Sequence, residues 1–260
     1  MPQDYYLGYY FYAPRGKFEA CGMFSASHII SASICFIAAV ICALIFIKKS
    51  NASLRRIYKT TAISLSVLEA IKILHSFIYG DLYLDAWFPL SYCGLLIFAA
   101  WFAGFGSSYF KTAGETFIAY GCPIAGIIFL IFPTTSLMSF PIWHYFSLYS
   151  MLFHGLMIFL GIVQLNAEKS LELKRYLSYA FFVAFFSIIS IILNSIYNCN
   201  LMNLREPYNV PVELIQSVYS YSECAYTLMV VFVYAIIPII SGFFSNKLFI
   251  NRSKTILPKG

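Results

Sequence analysis

Charge is scarce in this 260-residue chain: Asp, Glu, Lys and Arg together make up 11% of it, against roughly 25% in soluble domains. With 60% hydrophobic residues and a mean hydropathy of +0.76, that scarcity excludes an ordinary soluble globule and indicates an integral membrane protein. Phosphate-cradling glycine loops, nucleic-acid motifs, tandem repeats and low-complexity tracts are also missing. The seven cysteines have no metal-ligand spacing. Five of them (Cys35, Cys42, Cys93, Cys122 and Cys224) lie in or beside apolar runs, so buried free thiols are expected and neither a metal nor another cofactor is. The opening MPQDYYLGYYFYAPRGKFEACG lacks a basic start followed by an apolar core, so no cleavable signal peptide is expected. Residues 1–22 read as an ordered extracellular segment whose tyrosines suit the membrane interface.

The apolar material falls into blocks of about 20 residues, the length that crosses a ~30 Å hydrocarbon layer as helix. An all-α bundle of seven transmembrane helices is therefore expected. The blocks run over 24–47, 60–79, 89–106, 112–132, 143–165, 176–198 and 219–244 within a transmembrane domain of residues 23–247. Pro89, Pro133 and Pro141 sit at block ends, where a missing N–H does least harm. Gly121 and Pro123 interrupt the fourth block, and Pro238 should kink the seventh.

Lys and Arg are distributed unevenly over the intervening loops. Lys48, Lys49, Arg55, Arg56, Lys59, Lys111, Lys169, Lys174, Arg175, Lys247, Arg252, Lys254 and Lys259 fall on one side, and only Arg15, Lys17 and Arg205 on the other. This bias places the N-terminus outside and the C-terminus, with its basic tail 248–260, in the cytoplasm. The net charge of +6 then faces anionic lipid headgroups and calls for no nucleic acid. The Asn-x-Ser sequons at Asn51 and Asn251 fall on the cytoplasmic side and are chance matches.

Polar residues inside the blocks carry the remaining information. SVLEAIKILHSF spaces Glu69, Lys72 and His75 three apart, on one arc of a helix. Ionised groups at that depth are costly and usually pair or face a cavity, so a structural Glu69–Lys72 pair and a ligand site are both consistent with the pattern. On the expected topology His28, His75, Ser91, Cys93, His144, His154, Asn194, Asn198, Asn200 and Glu223 share the outer half of the membrane. The inner half holds little besides Ser and Thr. His144, between Trp143 and Tyr145, reads as an interfacial anchor, and the asparagines of NSIYNCN as caps of the sixth helix.

The motifs MFSASHII, EAIK, FPLSYC, AGIIFLIFP, LFHGLMIFLG and NCNLMNLREP together resemble the YwaF family of bacterial multi-pass membrane proteins. That family is similar in turn to a eukaryotic transmembrane acyltransferase of ether phospholipids and, more distantly, to androgen-induced hydrolases of fatty-acid esters. The resemblance implies a bacterial cell-membrane location, membrane lipids as partners, a nucleophile near the start of one span and a histidine in a later one, here His154. At PLSYC this chain departs from the pattern. YwaF-like proteins carry a histidine where Ser91 stands, and the acyltransferase cysteine falls nearest Leu90, which leaves Cys93 or Ser91 as substitutes.

Three functions follow as alternatives. The first is a lipid-active acyltransferase or ester hydrolase in which His154 deprotonates Cys93 or Ser91, with Lys72, Glu69, His75, Asn194, Asn200 and His28 lining the substrate site. The second is a non-catalytic carrier or binding protein using the same residues. The third is a structural membrane subunit.

Overall fold

The computed structural model describes residues 7–47, 51–80, 83–168, 172–208 and 212–256. Lys48, Lys49, Lys169, Lys259 and the first six residues of the N-terminal segment lie outside them. The described chain is all-helical, with no strand. A short α1 (Leu7–Tyr12) precedes α2 (Ala26–Phe46), α3 (Asn51–Tyr79), the single turn α4 (Leu84–Trp87), α5 (Leu95–Phe105), α6 (Ser108–Thr116) and α7 (Cys122–Ile131). Then come α8 (Tyr145–Ala167), α9 (Leu173–Tyr197), α10 (Glu213–Tyr221) and α11 (Glu223–Ile256).

Six helical stretches are long and apolar enough to cross a membrane: Ala26–Phe46, Ala52–Tyr79, Ser108–Met138, Tyr145–Ala167, Leu173–Tyr197 and Glu223–Ser245. The third expected span is different. Its helix, α5, has only 11 residues, entered through irregular backbone at 88–94 where Ser91 Oγ accepts the Gly94 N–H at 3.0 Å. Hydropathy cannot see this break, because the lead-in is largely apolar; Leu90 and Tyr92 of it are buried in the bundle.

The fourth expected span is continuous helix over residues 108–131 but changes pitch. Pro123 has no N–H to give and its ring would strike the carbonyl four residues back, and Phe117–Gly121 winds as a π-helix just before it, with Cys122 N–H reaching Phe117 O. The wider turn takes the strain that the sequence places there. α11 continues as helix through Pro238. It begins at Glu223 because Ser222 is extended (φ −165°) and separates α10 from it.

Two close approaches set the bundle. α5 lies antiparallel to α3, with Trp101 Nε1 donating to Ser66 Oγ at 3.0 Å and Arg55 Nε to Gly104 O at 2.9 Å. α7 and α8 meet at Gly126 and Gly161, where an added Cβ would stand 2.8 Å from His154 O and 2.3 Å from Pro123 Cγ. Such contacts are the means by which helices approach closely where lipid gives no hydrophobic drive.

Candidate functional site

The polar residues expected in one outer pocket resolve into three neighbourhoods, and α8 is the wall between two of them. Tyr149 and His154 are five residues apart, about 140° around a helix with 100° per residue, so they face different partners.

His154 faces α7, its ring flat against Phe129 with centroids 3.6 Å apart. Its Nδ1 lies 2.7 Å from Ser150 O. A carbonyl only accepts, so Nδ1 carries the proton and Nε2 keeps a lone pair. That nitrogen is buried without a hydrogen-bond partner. From α2, Cys35 Sγ donates to Met151 O at 3.1 Å, and a Cβ on Gly155 would lie 2.7 Å from that sulfur. The glycine of FHG thus admits Cys35, whose place among the apolar residues of α2 had marked it only as filler. His28 is fully committed: Nδ1 accepts the Phe24 N–H and Nε2 donates to Leu130 O, both at 3.0 Å, stapling the start of α2 to the end of α7.

The second neighbourhood lies between α3 and α8. Glu69 pairs with Lys72 and accepts the Tyr149 hydroxyl at 2.6 Å, while Tyr145 donates to Leu68 O. Above them the N-terminal segment forms a lid held through consecutive carbonyls. His75 Nε2 donates to Tyr12 O at 3.1 Å and His144 Nε2 to Ala13 O at 3.0 Å, with the two rings 5.6 Å apart. His144 Nδ1 accepts the Phe146 N–H and so caps α8. Its ring stacks on Phe140, over which Arg15 lies.

Burial pushes His144 down to about 4, and the neighbouring His75 contributes in the same direction. A released lid would expose the imidazole at its ordinary 6.5. Protonation therefore favours release: the closed lid is fully stable above 6.5 and weakens as pH falls from there to about 4. Amide protection factors over residues 9–24, taken relative to the intrinsic exchange rate at each pH, should be high at pH 7 and lower at pH 4.5, and His144→Gln should flatten the difference. Equal protection at both pH values in the wild-type protein would refute the latch.

The third neighbourhood is the irregular backbone of 88–94 facing the loop 198–206. Asn198 ends α9 in the left-handed region (φ 53°). Asn194 binds the Leu201 N–H and C=O, and Asn200 gathers Arg205 N–H, Glu206 N–H and Glu206 O. Both asparagines are thus spent on shaping the loop. The loop inserts as a plug: Leu201, Met202 and Leu204 are buried, Met202 N–H reaches Leu90 O at 3.1 Å, and Tyr234 donates to Met202 O at 3.0 Å. Below it Tyr92 donates to Tyr179, which donates to Tyr234 O. Cys93 borders this tyrosine chain and Ser91 caps its own turn. Among the described residues no hydrogen bond joins either of them to His154.

The end of the bundle that holds Arg55, Lys111 and Arg175 is richer than the composition of its helices suggests. Tyr58 donates to Gln164. One turn on, Glu168 is clasped by Arg175, which also reaches Glu115 at 3.8 Å, itself paired with Lys111 at 3.6 Å. Gln164 alone within IVQLNAEK was a signal for this cluster, since an amide there must find a partner.

The bundle and its buried polar clusters define a multi-pass helical membrane protein. Residues 23–241 match the TMEM164 family, and the chain belongs to that family. No curated protein and no solved structure gives a match.

Proposed function

We propose that the protein is a lipid-active enzyme of the cell membrane, acting on an acyl ester by transfer or hydrolysis, with His154 as the proton acceptor. One observation carries this reading: the Ser150 carbonyl fixes the tautomer of His154 so that Nε2 offers a lone pair inside the bundle, unpaired where an unpaired polar atom is costly. A hydroxyl or thiol needs such a base to become a nucleophile. The chain departs from the YwaF-like motifs at PLSYC, so Cys93 or Ser91 stands in as the nucleophile by position alone, and substrate binding has to bring it to His154.

The topology belongs to the same proposal. The lead-in and α5 run from Trp87, against Phe77 of α3, to Gly104 and Gly106, against Arg55. The interval between residues 55 and 77 of α3 corresponds to about 33 Å at 1.5 Å per residue, enough for a seventh crossing. That leaves the N-terminus outside and the C-terminus in the cytoplasm, in accord with the clustering of Arg55, Lys111 and Arg175 at one end.

The test is turnover of a fluorescent phospholipid or fatty ester by protein in vesicles. His154→Asn places an amide N–H where Nδ1 donates to Ser150 O and should lower the rate by about 10²–10⁴-fold while the fold survives. Wild-type turnover by that variant would remove His154 from the mechanism. Cys93→Ala and Ser91→Ala separate the two nucleophiles. A structural role is favoured by a different observation, the internal pairing of Glu69, Lys72, Tyr149, Asn194 and Asn200, which leaves these side chains to the fold and not to a ligand. Failure of a fluorophosphonate or acyl-mimicking probe to label the wild-type protein would decide for that role.

A further inference from the structure

α9 carries two faces at its inner end. Arg175 turns inward to Glu168 and Glu115, whereas Lys174, about 100° away around the helix, turns outward and makes no ion pair among the described residues. Lys174 stands at the mouth of a cleft of about 480 Å³ between α6 and α9. That size lies within the roughly 300–1,000 Å³ of ligand pockets. Leu177, Phe181 and Ala184 continue from it along one stripe, and Tyr109 of α6 forms the opposite wall, edge-on to Phe181 at 5.7 Å. Ser178 spends its hydroxyl on Lys174 O at 2.8 Å, so the cleft below the lysine is apolar.

From Lys174 to Ala184 the stripe rises about 15 Å, half of a ~30 Å hydrocarbon layer. The cleft therefore reaches from the headgroup level to the midplane, the length of one leaflet. The charges beside it are matched: Lys111 and Arg175 are paired with Glu115 and Glu168, and Glu172 already has a partner. Among the described residues Lys174 is thus the cation left over. Basic side chains at such a mouth select anionic headgroups over zwitterionic ones, which bring their own cation.

We infer that this cleft is a binding site for one anionic phospholipid, its phosphate on the Lys174 ammonium and one acyl chain against Leu177, Phe181 and Ala184. The site faces the bilayer at the end of the bundle opposite the plug, and it is independent of the chemistry assigned to His154.

Native mass spectrometry of the purified protein released from nanodiscs of mixed phosphatidylglycerol and phosphatidylcholine tests it. Wild-type protein should retain one phosphatidylglycerol in preference to phosphatidylcholine. Lys174→Gln should lower that preference about fivefold. Ala184→Trp, a change at an exposed position that fills the cleft, should lower retention of both lipids. Wild-type preference in Lys174→Gln, unchanged retention in Ala184→Trp, or retained lipid that merely mirrors the nanodisc composition, an annular lipid only, would each overturn the inference.

Discussion

Arg175→Met is expected to lower stability by about 3–5 kcal/mol, the usual cost of removing one partner of a buried ion pair. Arg175 is the only cation in contact with Glu168 among the described residues, and the Glu168 side chain is 1% exposed. It also reaches Glu115. Taking it away leaves two carboxylates facing each other where α6, α8 and α9 meet. Burial raises the Glu168 carboxyl to about 7 even with the guanidinium pulling it down. An acid with a raised folded value holds its proton more tightly folded than unfolded, so this group favours the fold most below its ordinary 4.5, and that contribution is lost as pH rises to about 7. Without Arg175 the carboxyl moves higher still. The deficit of Arg175→Met should then be larger at pH 8.5 than at pH 6 when unfolding is followed by SDS titration or heating in detergent. The double variant Glu168→Gln/Arg175→Met should recover most of the loss, because an apolar or neutral pair carries no unpaired charge. A single variant as stable as wild type at both pH values would show the clasp to be incidental.

The helices were legible because a hydrocarbon layer imposes a length, and blocks such as 24–47 and 143–165 declare it with no Asp, Glu, Lys or Arg. What hydropathy could not reveal was backbone conformation inside an apolar stretch. Residues 88–94 and 95–105 look alike by composition, yet the first is a coil held by Ser91 and by Met202 N–H, the second a helix. The chemistry-bearing residues were likewise visible as types and depths but not as neighbours. Grouping His75, Cys93 and His154 by depth ignored rotation about each axis, and rotation sends Tyr149 to Glu69 while His154 goes to Phe129 on another side of α8. The N-terminal lid was invisible for another reason: His75 and His144 bind backbone carbonyls of Tyr12 and Ala13, and a carbonyl is present at every position. The Arg175 clasp escaped because Glu115, Glu168 and Arg175 come from different parts of the chain and look in sequence like ordinary charges at span ends.

Gly114→Ala should cost about 3 kcal/mol, at the upper end of what one inserted methyl group does to a packed interior. Its Cβ would stand 2.4 Å from Ala99 O and 2.7 Å from Ala103 N. Both atoms are α5 backbone, so neither can swing aside as a side chain would. α5 and α6 are joined by only Gly106 and Ser107, and α5 is pinned on its other flank by Arg55 and Ser66, so a shift at Gly114 must move one helix bodily. Gly155→Ala is the control: its Cβ would stand 2.7 Å from Cys35 Sγ, but the sulfur is the end of a rotatable side chain, and Cys35→Ala should remove the conflict altogether. Chemical unfolding in detergent should therefore rank Gly114→Ala well below Gly155→Ala, with Cys35→Ala rescuing only the latter. Equal stabilities for the two glycine variants would mean that α5 and α6 are not held as closely as their backbones indicate, and the position of Cys93 and Ser91 at the head of α5 would lose its support.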